Sequence, residues 1–285
     1  MYLVDAPGDA SPLPLVVYVH GSGPTSLFVE RDGRVRPTLG HASVADVVRG
    51  RARLLIVEKP GVRYLADPAR PFLASDEFRH EHTLDRWAEA VNAATRAAQR
   101  LDAIAPGRVL VAGHSEGGVV AARLAAEHPY VSHVAVLAGE GPSQLYSLMA
   151  FARRGVFFQH VSDDPEVRVQ HVRDQWSRIT AAPEAADSVF FGHPYRRWHS
   201  FLSTSPLDEL LASTADVYLA TGTRDDAVTI ESLDVLCAQL LSKGRSPVCD
   251  RVEGADHSFA LDDRARDGWS EVWGRVVDWY LDDRG

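Results

Sequence analysis

The chain has 285 residues, of which 45% are hydrophobic and 24% are charged, an ordinary composition for a globular protein. Its formal net charge of −9 repels polyphosphate, so we expect no nucleic-acid partner. The N-terminal residues lack the basic and apolar regions of a signal peptide, and no apolar run approaches the roughly 20 residues that span a bilayer. We therefore expect a cytoplasmic protein without a membrane span.

Six short apolar runs predict buried strands. Most are continuous and rich in β-branched residues, which is typical of a parallel sheet covered on both faces. They lie at residues 15–19, 54–57, 109–112, 134–137, 217–220 and 248–252. Apolar residues at three- and four-residue steps predict helices at 83–101, 232–241 and 267–281. This alternation predicts an α/β fold with a mostly parallel, doubly wound sheet.

One interval interrupts the alternation of strands and helices. Between residues 141 and 206 no run predicts a strand, and helices are expected at 143–154, 165–180 and 195–202. Such an interval is too long for an ordinary connection. We therefore predict a helical subdomain at 141–206, inserted into a core formed by residues 1–140 and 207–285.

The two cysteines, Cys237 and Cys249, are too few to form a disulfide scaffold. For a cytoplasmic protein we predict two reduced thiols. Because one falls on a predicted helix and the other on the next strand, a bridge between them is the alternative.

The stretch GHSEGG at residues 113–118 lies between a predicted strand and a run typical of a helix. In a G-x-S-x-G turn the serine backbone is strained, and glycines two positions away remove steric clashes. This context favours Ser115 as a nucleophile over a turn serine at a helix N-terminus.

A nucleophilic serine needs a base and an acid. His257 lies in a loop after the last predicted strand, at the sheet edge where the serine turn opens, whereas every other histidine precedes residue 200. Asp225, just beyond the strand at 217–220, is the preferred acid, and Asp226 is the alternative. Either aspartate could instead cap the next helix. Asp256 adjoins His257, but neighbouring side chains on a loop seldom face each other.

The predicted first strand ends in HGSGP, residues 20–24, whose glycines leave backbone N–H groups uncovered. We expect the N–H groups of Ser22 and Glu116 to form an oxyanion hole. His20 is interpreted as a structural residue that braces this loop.

Taken together, these motifs resemble those of serine hydrolases with the α/β-hydrolase fold. They are the stretches at 20–23, 113–117, 222–225 and 254–259, and their order of serine, aspartate and histidine matches that family. The resemblance implies a mechanism without a cofactor and makes 141–206 a cap that shapes the pocket, inserted after the strand that the family counts as its sixth. MYLV is the only apolar run that precedes the first core strand, so the antiparallel edge strands of the family are expected to be mostly absent or trimmed.

The loop at 59–62 resembles one that lines the pocket in such enzymes. Candidate pocket residues are therefore Lys59, Glu140, Tyr195 and Trp198. Most cap aromatics are expected to fill the cap interior.

We interpret residues 79–82, Arg-His-Glu-His, as the solvated start of a helix rather than a metal site. Arg153, Arg154, Arg196 and Arg197 are interpreted as solvated helix faces, with an anionic substrate as the minority interpretation.

The main hypothesis is hydrolysis of a small-molecule carboxylic ester through an acyl-enzyme. An amidase or aminopeptidase is the first alternative, with Glu116, helped by Glu140, holding a substrate ammonium. The Glu116 side chain could instead pair with Lys59 or Arg63. A non-catalytic receptor with the same fold is the second alternative, and acyl transfer to an acceptor other than water is the third.

Overall fold

The computed structural model describes residues 1–4, 11–68, 74–263 and 265–282. The strands of this part of the chain are β1 Tyr2–Val4, β2 Leu13–Val19, β3 Phe28–Arg31, β4 Arg34–Pro37, β5 Arg53–Ile56, β6 Ile104–His114, β7 His133–Leu137, β8 Val189–Phe190, β9 His193–Pro194, β10 Asp216–Gly222 and β11 Val248–Val252. The helices are α1 His41–Val48, α2 Asp76–Glu81, α3 Leu84–Ala98, α4 Glu116–Glu127, α5 Gln144–Arg154, α6 Pro165–Ala181, α7 Tyr195–Leu202, α8 Pro206–Ala212, α9 Ile230–Ser242 and α10 Gly268–Asp282.

Seven strands form the central sheet in the order β1-β5-β2-β6-β7-β10-β11. The six predicted strands form its parallel part, and β1 pairs antiparallel with β5 at one edge. The predicted α/β fold with a mostly parallel, doubly wound sheet is confirmed. The N-terminal residues thus supply a single short antiparallel edge strand. The carboxyl ends of the parallel strands lie at one edge of the sheet, where loops carry functional residues in such folds.

Both faces of the sheet are covered by helices. In β2, Leu15, Val17 and Val19 join a buried cluster with α3, α4 and α9, whereas Val16 and Tyr18 face a second cluster with α1 and α10. Neighbouring residues of one strand are therefore buried on opposite sides. This explains why the strands appear in the sequence as continuous apolar runs.

The 141–206 interval contains α5, α6 and α7 close to the predicted helical segments. These helices share a separate buried cluster that includes Phe158, Val172, Ile179 and Trp198. A two-stranded hairpin of β8 and β9 also lies in this interval, which the sequence did not predict. The division of the chain into a core and a cap stays a prediction.

The prediction of two reduced thiols is wrong, because Cys237 and Cys249 form a disulfide. Cys237 lies on α9 and Cys249 on the adjacent strand β11, and their Cα atoms are 6.3 Å apart. The prediction relied on the redox state of the cytoplasm rather than on distance. The cytoplasmic location, which shared that premise, stays a prediction. Within the described ranges, every helix is too short or too polar to cross a bilayer.

Candidate active site

Ser115 occupies the sharp turn between β6 and α4. Its backbone has φ 56° and ψ −124°, outside the regions that most residues adopt. A Cβ atom on Gly113 would lie 1.9 Å from the carbonyl oxygen of Gly117, and one on Gly117 would lie 2.1 Å from that of Val19. The Ser115 N–H donates to the Leu137 carbonyl at 2.8 Å. Close backbone packing thus requires both glycines and fixes the serine at the carboxyl edge of the sheet.

Three sequence-predicted residues form a continuous hydrogen-bonded chain. Ser115 Oγ lies 3.0 Å from His257 Nε2, and His257 Nδ1 lies 3.0 and 2.9 Å from the two carboxylate oxygens of Asp225. The Asp225 side chain is fully buried, while Asp226 and Asp256 are exposed. The structure therefore places Asp225, rather than Asp226 or Asp256, in contact with His257.

The Asp225 carboxylate also accepts hydrogen bonds from its own loop. Its Oδ1 accepts hydrogen bonds at 2.8 Å from the backbone N–H groups of Ala227 and Val228, in the loop before α9. Asp225 does not cap α9, because the N-cap residue of that helix is Thr229. The loop holds the carboxylate in place, and the carboxylate in turn orients the His257 ring.

The backbone N–H groups of Ser22 and Glu116 have no hydrogen-bond partner within the described part of the chain. The Glu116 N–H belongs to the first turn of α4, where helix N–H groups favour negative charge. The Ser22 loop is held by Lys59, whose ammonium donates to the carbonyls of Gly21 and Gly23, the latter at 2.9 Å. Lys59 therefore fixes the backbone that carries the Ser22 N–H.

The Glu116 side chain lies in a buried charge cluster, which comprises Glu116, Arg197, His82 and Lys59. Arg197 donates from Nε at 2.8 Å and from Nη2 to one carboxylate oxygen. His82 Nε2 lies 2.8 Å from the other oxygen, and Lys59 Nζ lies 4.0 Å from it. Each of these side chains is at most 2% exposed.

Charge and burial act in opposite directions on the pKa values of this cluster. Burial opposes ionisation of Glu116, but Arg197, His82 and Lys59 outweigh it and hold the pKa of Glu116 well below its usual value. Burial lowers the pKa of Lys59 to about 8 and also lowers the pKa of His82. With Glu116 ionised, its carboxylate oxygen accepts the hydrogen bond from His82 Nε2.

Two interpretations of this region from the sequence are wrong. Arg197 is not on a solvated helix face, and His82 is not at a solvated helix start, because both side chains are buried against Glu116. Arg63, a suggested partner of Glu116, instead lies 3.7 Å from the exposed Glu77. The signal for Arg197 was its four-residue spacing from Phe201, which places both on the buried face of α7.

Ser115 lies between two cavities, and Ser22 lines both of them. The first cavity, of about 430 Å³, has a wall that includes Tyr18, Leu39 and Trp269. The second, of about 180 Å³, lies against α5 and α7. Ser115 therefore has space on two sides. A substrate bond that is cleaved here needs space for the chemical group on each side of it.

The second cavity is lined by more polar side chains than the first. They include Glu140, Gln144, Ser147, His193 and Arg197. Burial, together with the charge of Asp225, raises the pKa of Glu140 to about 8 although Ser147 donates a hydrogen bond to it. Burial and the charge of Arg197 lower the pKa of His193 to about 3. At neutral pH both side chains are mostly uncharged.

The four candidate pocket residues fall in different places. Glu140 and Trp198 line the second cavity, whereas Lys59 and Tyr195 line neither cavity next to Ser115. Among the described residues no group of three or more His, Cys, Asp or Glu side chains is arranged to hold a metal ion.

Comparison with known proteins places this geometry in a wider context. A family model described as "Alpha/beta hydrolase family" matches residues 16–269. No curated protein gives a significant match to the sequence.

Solved structures with the same fold include chains of similar length and longer chains. Est1E from Butyrivibrio proteoclasticus with ferulic acid bound is 18% identical, with 99% of this chain and 94% of that chain covered and a TM-score of 0.61. A Mycobacterium tuberculosis puromycin-hydrolyzing peptidase is 16% identical, with 98% and 36% covered and a TM-score of 0.57. A Pyrococcus horikoshii acylaminoacyl peptidase is 13% identical, with 98% and 38% covered and a TM-score of 0.63. At these identities the likeness shows the fold alone.

Proposed function

The chain belongs to the alpha/beta hydrolase family, and from that premise we propose that it is a serine hydrolase that cleaves a small-molecule carboxylic ester. The observation that carries the proposal is the hydrogen-bonded chain from Ser115 through His257 to Asp225. Such a chain is the arrangement that turns a weakly nucleophilic hydroxyl into an attacking group. No step of this chemistry needs a cofactor.

In the proposed mechanism Ser115 Oγ attacks the ester carbonyl carbon while His257 Nε2 takes the hydroxyl proton. Asp225 accepts a hydrogen bond from His257 Nδ1–H and stabilises the imidazolium that forms. The negative charge on the carbonyl oxygen is stabilised by the backbone N–H groups of Ser22 and Glu116. His257 then protonates the leaving alkoxide and later activates the water that hydrolyses the acyl-enzyme.

The surroundings of Glu116 favour an ester over a substrate with a free amine. A peptidase that used this carboxylate as an ammonium anchor would need its oxygens free. Both oxygens instead accept hydrogen bonds from protein side chains. Glu140 is a weak anchor as well, because burial raises its pKa to about 8 and keeps it mostly neutral at pH 7. A non-catalytic receptor has no use for the strained Ser115 backbone.

We also propose that residues 141–206 form a cap over the site. The support is that α5 and α7 of this segment supply Gln144, Ser147 and Arg197 to the second cavity. A cap at this place determines the shape of one side of the pocket and limits access of water to the acyl-enzyme.

A substrate panel tests the ester proposal. It consists of p-nitrophenyl esters of increasing acyl length beside aminoacyl p-nitroanilides, with Ser115→Ala as the inactive variant and Ser242→Ala, at the exposed end of α9, as the matched control. Ester cleavage that is lost only in Ser115→Ala is the expected result. Unchanged cleavage in Ser115→Ala would exclude the mechanism. An anilide preference that disappears in Glu116→Gln would favour the peptidase instead.

A further inference from the structure

Two residues that line the second cavity, Arg197 and Gln144, carry buried polar atoms without a hydrogen-bond partner in the described part of the chain. Arg197 uses Nε and Nη2 on Glu116, but its Nη1 is buried without a hydrogen-bond partner in the described part of the chain. Oε1 of Gln144, in the same wall, is also buried without one. Buried polar atoms in native proteins nearly always have partners. These two atoms therefore indicate a polar ligand group at this wall.

The charges around this wall favour an anion. Two buried cations, Arg197 and Lys59, lie beside the ionised carboxylate of Glu116. The half-buried Glu58 is hydrogen-bonded to Ser26 and Leu27 rather than to Lys59. Positive charge taken out of water is unfavourable unless a counter-charge accompanies it. A bound anion would supply that counter-charge.

The remaining titratable groups that line the cavity are mostly uncharged at neutral pH, and the nearby carboxylate of Asp225, which does not line it, is paired with His257. Burial and the charge of Asp225 raise the pKa of Glu140 to about 8, so its carboxyl is mostly protonated. Burial and the charge of Arg197 lower the pKa of His193 to about 3, so its ring is neutral. Arg197 is thus the only charged side chain among the described residues that line this cavity.

We propose that the second cavity is a subsite for a carboxylate on the substrate, with Arg197 as the specificity-determining residue. Arg197 Nη1 donates to one carboxylate oxygen, and the Gln144 carboxamide rotates to present its NH₂ group to the other. The aromatic side chains of Trp198 and Phe191 pack along the intervening carbon chain. The inference names the substrate class of the proposed ester hydrolysis and rests on that function for its place in catalysis.

Ligand binding tests the subsite independently of turnover. Calorimetric titration compares glutarate with the neutral glutaramide in the wild type and in three variants. Arg197→Lys keeps a cation for Glu116, Gln144→Leu leaves the buried charge cluster intact, and Arg153→Lys on the exposed face of α5 is the matched control. We expect glutarate to bind roughly 10- to 100-fold more tightly than glutaramide, the range of one or two charged hydrogen bonds. Arg197→Lys and Gln144→Leu should lose most of this preference, while Arg153→Lys keeps it.

Two pairs of esters locate the subsite relative to the cleaved bond. The p-nitrophenyl monoester of glutaric acid is compared with p-nitrophenyl valerate, and the acetyl ester of 4-hydroxybenzoate with that of 4-hydroxybenzamide. A higher kcat/KM for the anionic member of either pair, lost in Arg197→Lys, supports the proposal. Equal binding of glutarate and glutaramide would overturn it. If glutarate binds through Arg197 but no ester is cleaved, the subsite stands and the proposed function fails.

Discussion

Two groups of side chains start at adjacent residues of one turn, yet their surroundings differ. The proposed reactive chain, which comprises Ser115, His257 and Asp225, lies at the cavity wall, and the His257 side chain is 23% exposed. The buried charge cluster around Glu116 is shut off from solvent and binds one carboxylate through three cationic or polar side chains. A group that must exchange protons needs access, whereas a group that must stay charged needs several fixed partners.

The buried charge cluster supports the reactive chain by holding the backbone around it. Lys59 belongs to the buried charge cluster and also holds the carbonyls of Gly21 and Gly23, on either side of the Ser22 N–H. Glu116 anchors the first turn of α4 to α7 through Arg197. We therefore predict that variants of the reactive chain lose activity and keep stability, whereas variants of the buried charge cluster lose stability first.

The largest expected effect comes from Asp225→Asn. We expect kcat to fall by roughly 10⁴-fold, because an amide no longer selects the His257 tautomer that accepts the Ser115 proton. The amide oxygen still accepts from Ala227 and Val228, so the thermal unfolding curve should change little. Steady-state kinetics and calorimetry measure the two quantities. Asp226→Asn, at the exposed neighbour, is the control, and a greater loss of activity there would reassign the acid.

Glu116→Gln should have the opposite effect and lower the stability of the protein first. Removing the charge leaves Arg197 and Lys59 buried without a carboxylate, which costs about 3–5 kcal/mol in the free energy of unfolding. Urea denaturation measures this loss. Glu77→Gln, whose carboxylate pairs with Arg63 in an exposed position, is the matched control and should change stability little. Equal stability of the two variants would contradict the assigned role of the cluster.

The pH dependence of stability tests the environment of Glu140. Burial, with the charge of Asp225, raises the pKa of Glu140 to about 8 in the folded protein, against an ordinary value of 4.5. Ser147 and Arg197 oppose this shift. The stabilising contribution of this group is fully present below pH 4.5 and is lost as the pH rises through about 8.

Glu140→Gln removes this titration. Between pH 5 and pH 7.5 the wild type should therefore lose about 3 kcal/mol of unfolding free energy relative to the variant. Urea denaturation across that range measures the difference, with the exposed Glu184→Gln as the control. Parallel profiles for wild type and Glu140→Gln would show that the buried carboxyl is ionised throughout.

Removal of the disulfide is expected to have a smaller effect on the free energy of unfolding. Cys249 lies on the edge strand β11 and Cys237 on α9, and 12 positions separate them in sequence. Replacing both with serine should lower the unfolding free energy by about 2–3 kcal/mol, mainly because the unfolded chain is less constrained. Treatment of the wild type with a reductant should produce the same shift and leave the double variant unaffected. If the reductant shifts both proteins equally, the bond makes no contribution of its own.

The sequence predicted the sheet and the contact between Ser115, His257 and Asp225 because both depend on local patterns. Buried strands are continuous apolar runs, and Ser115, Asp225 and His257 each follow such a run at the same sheet edge. The partners of Glu116 were harder to predict, since Arg197 is 81 positions away in sequence and meets it only after α7 has packed. Helix α1 and the β3–β4 hairpin were missed because these short elements contribute few buried residues to the core.

Identifying the acylated residue tests directly whether Ser115 is the nucleophile. The protein is mixed with a p-nitrophenyl ester, quenched in acid during the first turnover, digested and analysed by mass spectrometry. We expect a burst of p-nitrophenol and an acyl group on Ser115, with neither seen in Ser115→Ala. An acyl group on another residue, or undiminished turnover of the same ester by Ser115→Ala, would contradict it.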